Sequence, residues 1–346
     1  MPPSPSPSPD RALSAILPLI TSGQAYEAHQ KARTFASRYA KASQYSTAIA
    51  VLFQSARALL TAGQQGSGTD LAGFLIDVYE QKQETVGEES RGRLTQLIAL
   101  TGPGGSWRKT TIDKSIAWSA KHGPCPAGDP ALHHYIGELL YKEGAFDTAE
   151  PHLLAAGLRD SARLLGQMMA EWCEATSAPP GAFALRGVIP HLQNGNILAA
   201  RAFITTFTST LLSSRPSLSS SALSVPRKDA DTADSIAFTT DAAWNFSQLA
   251  VLACQRANGD KSKTMREAWV RLCGTYGARG GLLADPGVRA ALHDIATLYF
   301  AIPPPRTQAA NPLGDVMASL FGGAPGGGQQ SVRRVLSPGT GAAGLD

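Results

Sequence analysis

Residues 26–80 carry three apolar stripes at helical spacing, one directly after another, and that run leaves few folds open. Ala28, Ala32, Phe35, Ala36 and Tyr39 form the first. Tyr45, Ala48, Ile49, Leu52, Phe53, Ala56, Leu59 and Leu60 form the second, and Leu71, Phe74, Leu75 and Val78 the third. A 3.6-residue period describes amphipathic helices, because a half-buried strand would alternate at every second residue. The breaks at 41–44 and 63–68 have turn chemistry, and Thr69 or Asp70 is placed to cap the third helix with a side-chain oxygen. No such stripe can be buried alone, so each helix has to pack on the next.

The pattern continues. Helices are predicted over 10–20, 88–100, 107–121, 130–143, 146–156, 161–175, 183–192, 197–212, 244–257, 262–276 and 285–300. The best delimited has Asp129 as N-cap, Pro130 at its first position and Gly144 past its end. A short signature recurs: a Gly or Ser, an apolar residue two positions on, and an Ala three positions after that. It reads Gly23, Ala25, Ala28; Ser43, Tyr45, Ala48; Gly144, Phe146, Ala149; and Gly195, Ile197, Ala200. The small residue permits a tight turn and the alanine lets the next helix approach, as in tetratricopeptide-like (TPR-like) hairpins. At about 35–45 residues per helix pair, the ordered part holds roughly seven pairs. The predicted fold class is all-α, an α-solenoid of TPR-like hairpins with at most one small β-hairpin, placed after Asp234; a two-domain helical bundle is the alternative. Residues 236–238 are the candidate strand. Residues 213–234 hold too few apolar side chains to offset the entropy of ordering and read as a mobile insertion. The Pro/Ser-rich 1–9 and the Gly/Pro-rich 303–346 read as disordered tails, with 313–321 as one loose helix.

With 346 residues, 43% of them hydrophobic, and a net charge of +4, the chain can build a sizeable core and has no dense cationic cluster. Nucleic-acid binding needs a basic stripe or patch, so no nucleic-acid partner is expected. There is no apolar N-terminal h-region and no run of about 18 apolar residues, so no direct membrane insertion is expected. Cys125, Cys173, Cys254 and Cys273 lie far apart with no C-x-x-C pair and read as reduced thiols. Catalytic and cofactor motifs fail on context. Gly66-Ser67-Gly68 lies between helices and lacks the Lys-Ser/Thr of a phosphate loop. His133 and His134 are adjacent, whereas metal ligands on one helix face need i,i+4 spacing; one of them is expected to hydrogen-bond between helices. Ser106 and Lys109 share S-x-x-K spacing without its companion motifs. Asn245-Phe246-Ser247 is a glycosylation sequon with no secretory signal. The expectation is a protein that is not an enzyme and takes no cofactor or metal.

The charged residues of the opening stretch are more informative. Asp70 and Asp77 are seven positions apart, hence within about 20° of each other around a helix. Arg33, Arg38 and Lys41 lie on or near the outer face of the first helix of the run. One reading is an ordinary solvated helix face. The other is a protein-docking surface with separate cationic and anionic patches.

A series of short motifs carries a family resemblance. The series is Tyr26-Glu27-Ala28-His29-Gln30, Arg33-Thr34, Arg38-Tyr39, the run GQQGSGTDL at 63–71, Gly128-Asp129-Pro130, Leu132-His133, Gly137, Lys142-Glu143, Ala149-Glu150, Gly195-Asn196-Ile197, NFSQL at 245–249, Cys254-Gln255, Tyr299-Phe300 and Pro303-Pro304. Over roughly Leu13 to Gly323 the chain resembles the fourth component of the Guided Entry of Tail-anchored proteins (GET) pathway, the Golgi-to-ER traffic protein family. The resemblance implies a cytosolic, non-enzymatic TPR-like scaffold. It implies an N-terminal half, 10–176, that binds the targeting ATPase of the GET pathway. Regulatory acidic positions fall on Asp70 and Asp77 and an anchoring cation on Lys41, with Arg33 and Arg38 as further candidate contacts; Leu19 stands where another anchoring cation is expected. A C-terminal half, 177–302, would hold a ubiquitin-like partner protein, itself linked to a glutamine-rich co-chaperone, with a β-hairpin helping the grip. Ile236, Phe238, Trp244, Phe246 and Leu249 are the candidate contacts there. From the residues alone, the alternative is a generic α-solenoid adaptor subunit of another multiprotein complex.

Overall fold

A computed structural model describes residues 8–226 and 234–303. The expectations for 1–7 and 304–346, including the helix over 313–321, lie outside the described residues. Fourteen α-helices follow one another there: α1 (Asp10–Thr21), α2 (Ala25–Lys41), α3 (Tyr45–Thr61), α4 (Gln65–Lys82), α5 (Glu88–Leu100), α6 (Trp107–His122), α7 (Pro130–Lys142), α8 (Phe146–Ala156), α9 (Arg159–Thr176), α10 (Pro180–Gln193), α11 (Ile197–Ser214), α12 (Ala242–Gln255), α13 (Lys263–Gly277) and α14 (Pro286–Phe300). Between α11 and α12 run β1 (Ser219–Val225) and β2 (Asp234–Thr239). The fold is all-α, a solenoid of helical hairpins with one two-stranded sheet.

The recurring signature has a backbone cause. Gly23, Ser43, Gly144 and Gly195 all adopt the left-handed conformation, at φ +80°, +57°, +76° and +73°. At each, this residue and the next return their N–H groups to the last turn of the helix just ended, as Ser43 N to Ala40 O at 2.9 Å and Gln44 N to Tyr39 O at 2.8 Å. That is the Schellman closure, which satisfies carbonyls a helix end would otherwise leave open. The next helix starts one residue later. Gly63, at φ +76°, does the same with Leu60 O and Leu59 O. So a fifth copy exists, Gly63, Gln65, Gly68, and the break expected over 63–68 is only a two-residue turn. Thr69 and Asp70 therefore lie inside α4, and neither caps it; Thr69 is buried. Gly68 occupies the place of the signature alanine because a Cβ there would come within 2.5 Å of the Leu60 side chain.

The described residues fall into two compact units, one ending at Ser161 and one starting at Ala162. The division lies inside α9, ahead of the 176/177 boundary between the two halves that the resemblance implies. Gly166 shows why the rest of α9 belongs with the second unit: a Cβ on it would lie 2.7 Å from the Phe203 carbonyl oxygen of α11. In the first unit, each helix of α1–α7 packs on its neighbours, and one core runs through Ile16, Ala32, Leu52, Leu71, Leu97 and Trp118. The α7 cap is as predicted, with Asp129 accepting from Leu132 N at 2.8 Å.

The second unit is built on aromatic side chains. Phe207 meets Trp244 edge-on at 5.5 Å between ring centroids, and Trp269 stacks on Phe300 at 4.9 Å. Fully burying each such ring stabilises the fold by about 1.5–3 kcal/mol. Among the described residues, α11 alone is long and apolar enough by composition to cross a membrane; its Ala199, Phe203, Phe207 and Leu211 are buried against the unit's other helices. All four cysteines are free.

The hairpin corrects the expectation for 213–234. Residues 219–225 are not an unstructured insertion: they are β1, antiparallel to β2, with Leu223 opposite Ile236 and Ser221 opposite Phe238. The first arm thus precedes Asp234. Residues 227–233 lie outside the described residues. The sequence of β1 hides it because the strand is exposed from Ser219 to Ser224 and owes its order to β2. Strand β2 in turn is fixed by two amides of α12. Gln248 accepts from Ala237 N at 3.1 Å and donates to Ala237 O at 2.8 Å, and Asn245 does the same for Thr239, 2.8 Å each way. Side chains three apart on a helix face one way, so Asn245 and Gln248 serve β2 as a third strand would.

Candidate protein-docking surfaces

The outer face of α4 carries Asp70, Phe74 and Asp77. Asp70 is not a free carboxylate. Arg33 and His29, one turn apart on α2, both bond its Oδ2, His29 through Nε2 at 2.7 Å. Partial burial pushes the Asp70 carboxyl up, but the hydrogen bonds from His29 and Arg33 outweigh it and hold the carboxyl below the usual range. The Arg33 guanidinium also lies over the Phe74 ring, 5.4 Å from its centroid, an arrangement that attracts a cation to the ring face. Arg33 is therefore engaged within the chain, while 44% of its side chain stays exposed on the outer face.

Asp77 is more open, with 58% of its side chain exposed; among the described residues its one ion-pair neighbour is Lys114 of α6, at 3.9 Å. Lys114 crosses the Cβ-free side of Gly73, where a methyl group would lie 3.1 Å from its Nζ. Arg38 and Lys41, at the end of α2, are exposed, and neither has an ion-pair partner among the described residues. The face is thus a held carboxylate, an open carboxylate and two unpaired cations. His29 and Lys114 were missed in the sequence because no spacing rule links residues 41 or 37 positions apart on different helices.

The C-terminal candidates divide differently. Ile236, Trp244 and Phe246 are buried in the second unit's own core, which corrects their assignment as partner contacts. Trp244 donates through Nε1 to Thr208 Oγ1 at 3.0 Å, and Phe246 meets Tyr276 edge-on at 5.7 Å. Phe238 and Leu249 are only partly covered, and Leu223 on β1 is 46% exposed. Beside the hairpin opens a cleft of about 420 Å³, lined by Ile204, Thr208, Ile236, Val251 and the Arg201–Asp234 ion pair. Apolar stripes read from sequence do not separate a ring that faces the chain's own core from one that faces a partner.

His133 and His134 both hydrogen-bond between elements. His133 is buried, donates from Nε2 to Ala127 O at 3.0 Å and meets His152 Nδ1 of α8 at 2.9 Å. His134 bonds Ser161 Oγ at 2.8 Å. Among the described residues no three His, Cys, Asp or Glu side chains converge as metal ligands would.

Comparison with known proteins points to one family. The family model described as Golgi to ER traffic protein 4 matches residues 42–321. Golgi to ER traffic protein 4 of Aspergillus fumigatus is 34% identical over 93% of this chain and 92% of its own. The Schizosaccharomyces pombe protein of that name is 30% identical over 87% and 92%, and the Homo sapiens homolog 25% over 88% and 84%. The crystal structure of C. therm. Get4 superposes with a TM-score of 0.77 at 33% identity, covering 95% of this chain and 99% of that one. The chain therefore belongs to the Golgi to ER traffic protein 4 family.

Proposed function

We propose that this chain is a non-enzymatic cytosolic scaffold of the GET pathway, in which tail-anchored membrane proteins are targeted to the endoplasmic reticulum after synthesis. Its N-terminal half docks the targeting ATPase through the outer face of α2 and α4, with Arg38 and Lys41 as anchors and Asp70 and Asp77 regulating ATP hydrolysis. Its C-terminal half holds a ubiquitin-like partner beside the β-hairpin, with Phe238 and Leu249 in contact, and that partner links to a glutamine-rich co-chaperone. The observation that carries the reading is the α2/α4 face, where unpaired cations and an open carboxylate stand on adjacent helices. Arg38 and Lys41 have no ion-pair partner among the described residues, and Asp77 is only loosely approached by Lys114; charges left open in this way are available to steer and orient a docking protein.

The test is co-purification of the full chain from cytosol, followed by ATP turnover of the recovered ATPase with and without the scaffold. Recovery of an ATPase and a ubiquitin-like protein, with turnover lowered by the scaffold, supports the reading. Recovery of the subunits of a different complex removes it.

A further inference from the structure

His29 Nε2 and Arg33 Nη1 converge on one oxygen of Asp70, Oδ2, and among the described residues no donor reaches Oδ1. Two basic groups of α2 are thus committed to a carboxylate that is 43% exposed. Holding α2 against α4 does not require this, since Ala28, Ala32, Leu71 and Leu75 are buried in the shared core, and an exposed ion pair adds at most about 1 kcal/mol. Arg33 is itself confined, between the carboxylate and the Phe74 ring one turn further along α4. What two donors on one oxygen accomplish is to fix the side chain, with the lone pairs of the other oxygen free to accept.

We propose that His29 and Arg33 are positioning residues that preset Asp70 so that its Oδ1 accepts a lysine or arginine of the docked ATPase. The inference rests on the reading of the α4 face under Proposed function and adds to it how the contact is made. A side chain already immobilised by its own fold spares the complex the ordering cost, about 0.5–1.5 kcal/mol for a side chain with several rotamers.

Three roles for Arg33 give three different outcomes. If Arg33 is a mere neighbouring charge, it repels an incoming cation, and Arg33→Ala strengthens the contact. If Arg33 touches the partner directly, Arg33→Ala weakens binding by the same factor whether or not Asp70 is intact. If Arg33 acts through Asp70, Arg33→Ala weakens binding in the parent chain and has no effect in an Asp70→Asn background.

The experiment is a double-mutant cycle on the full-length chain. It reads affinity for the ATPase and the ATP turnover at saturating scaffold, with Asp70→Asn, Arg33→Ala, His29→Gln, the double variants and Asp77→Lys, and each variant's unfolding midpoint is measured alongside. Asp70→Asn is expected to weaken binding roughly tenfold or more, the size of one charge-assisted hydrogen bond, and Arg33→Ala roughly twofold to tenfold, the size of the ordering cost; the double variant is expected to lose no more than Asp70→Asn alone. Arg33→Lys, which keeps a donor but not the planar fork, is expected to restore part of the loss, and it serves as the test if Arg33→Ala does not fold. Multiplicative losses, or an unchanged Arg33→Ala beside a weakened Asp70→Asn, overturn the positioning role and leave the docking face standing. If neither Asp70→Asn nor Asp77→Lys alters binding or turnover, the docking face itself is removed, and the positioning role with it.

Discussion

His191 on α10 is 1% exposed, and its Nε2 has no hydrogen-bond partner among the described residues. Burial pushes its imidazole down to about 4, and the half-buried His152 is pushed down to about 4 as well, by desolvation and by the neighbouring His133. The sign of the consequence follows from proton counting. Above about pH 6.5 both histidines are neutral, folded or unfolded. Between there and pH 4 the unfolded chain takes up protons that the folded chain refuses, so stability falls as pH drops through that window and levels off below it. The loss is on the order of 3 kcal/mol per histidine. Urea midpoints measured from pH 7 to pH 4 are expected to fall steadily, and His191→Gln, which cannot titrate, is expected to fall less. A variant as acid-sensitive as its parent would exclude His191 as a source. None of this is legible in the sequence, because burial of a lone histidine leaves no local pattern.

At the scale of elements the sequence was most legible where the backbone itself sets the rule. Left-handed residues at Gly23, Ser43, Gly144 and Gly195 were found through their small side chains, and the helices follow where the signature put them. The fifth copy escaped because its glycines and glutamines look like a loop, although Gly68 is glycine for packing reasons. Gly63→Ala and Gly68→Ala separate the two causes. The first forces a side chain into the left-handed region and is expected to cost about 1 kcal/mol. The second drives a methyl group into Leu60 and is expected to cost about 1–3 kcal/mol, as overpacking does. Equal urea midpoints for Gly68→Ala and the parent would mean that Leu60 yields freely. The hairpin was half legible. Ile236 marks β2 by its apolar character, but serine-rich β1 is ordered by a partner strand and, through it, by the two α12 amides. Gln248→Ala strips one N–H and one C=O of Ala237 of their partners, at about 1–3 kcal/mol. Amide hydrogen exchange is expected to rise at Ala237, next to the lost amide, more than within α12.

At the scale of the whole molecule, each candidate surface lies within one compact unit, the α2/α4 face in the first and the hairpin in the second. Each unit also keeps its own core: Ile16, Leu52 and Trp118 in one, Trp244, Trp269 and Phe300 in the other. An exposed side chain of one unit takes no part in either core, and substitutions that share no partner are additive to within about 0.3–0.5 kcal/mol. Deleting everything from Trp244 onward would not be a clean test, because that residue is in the second unit's core and the truncation would remove the fold along with the surface. Point changes on exposed side chains avoid this. Asp77→Lys places a second cation beside Lys114 on an open face, so the stability change is expected to stay within about 0.5 kcal/mol. It should alter ATP turnover of the bound ATPase at saturating scaffold while leaving the ubiquitin-like partner bound. Leu223→Glu on the exposed strand β1 should do the reverse, weakening the ubiquitin-like partner and leaving ATP turnover as in the parent. Each half of the experiment has its own readout, so a result in which either substitution disturbs both partners, with the unfolding midpoint unchanged, would show that the two surfaces act as one.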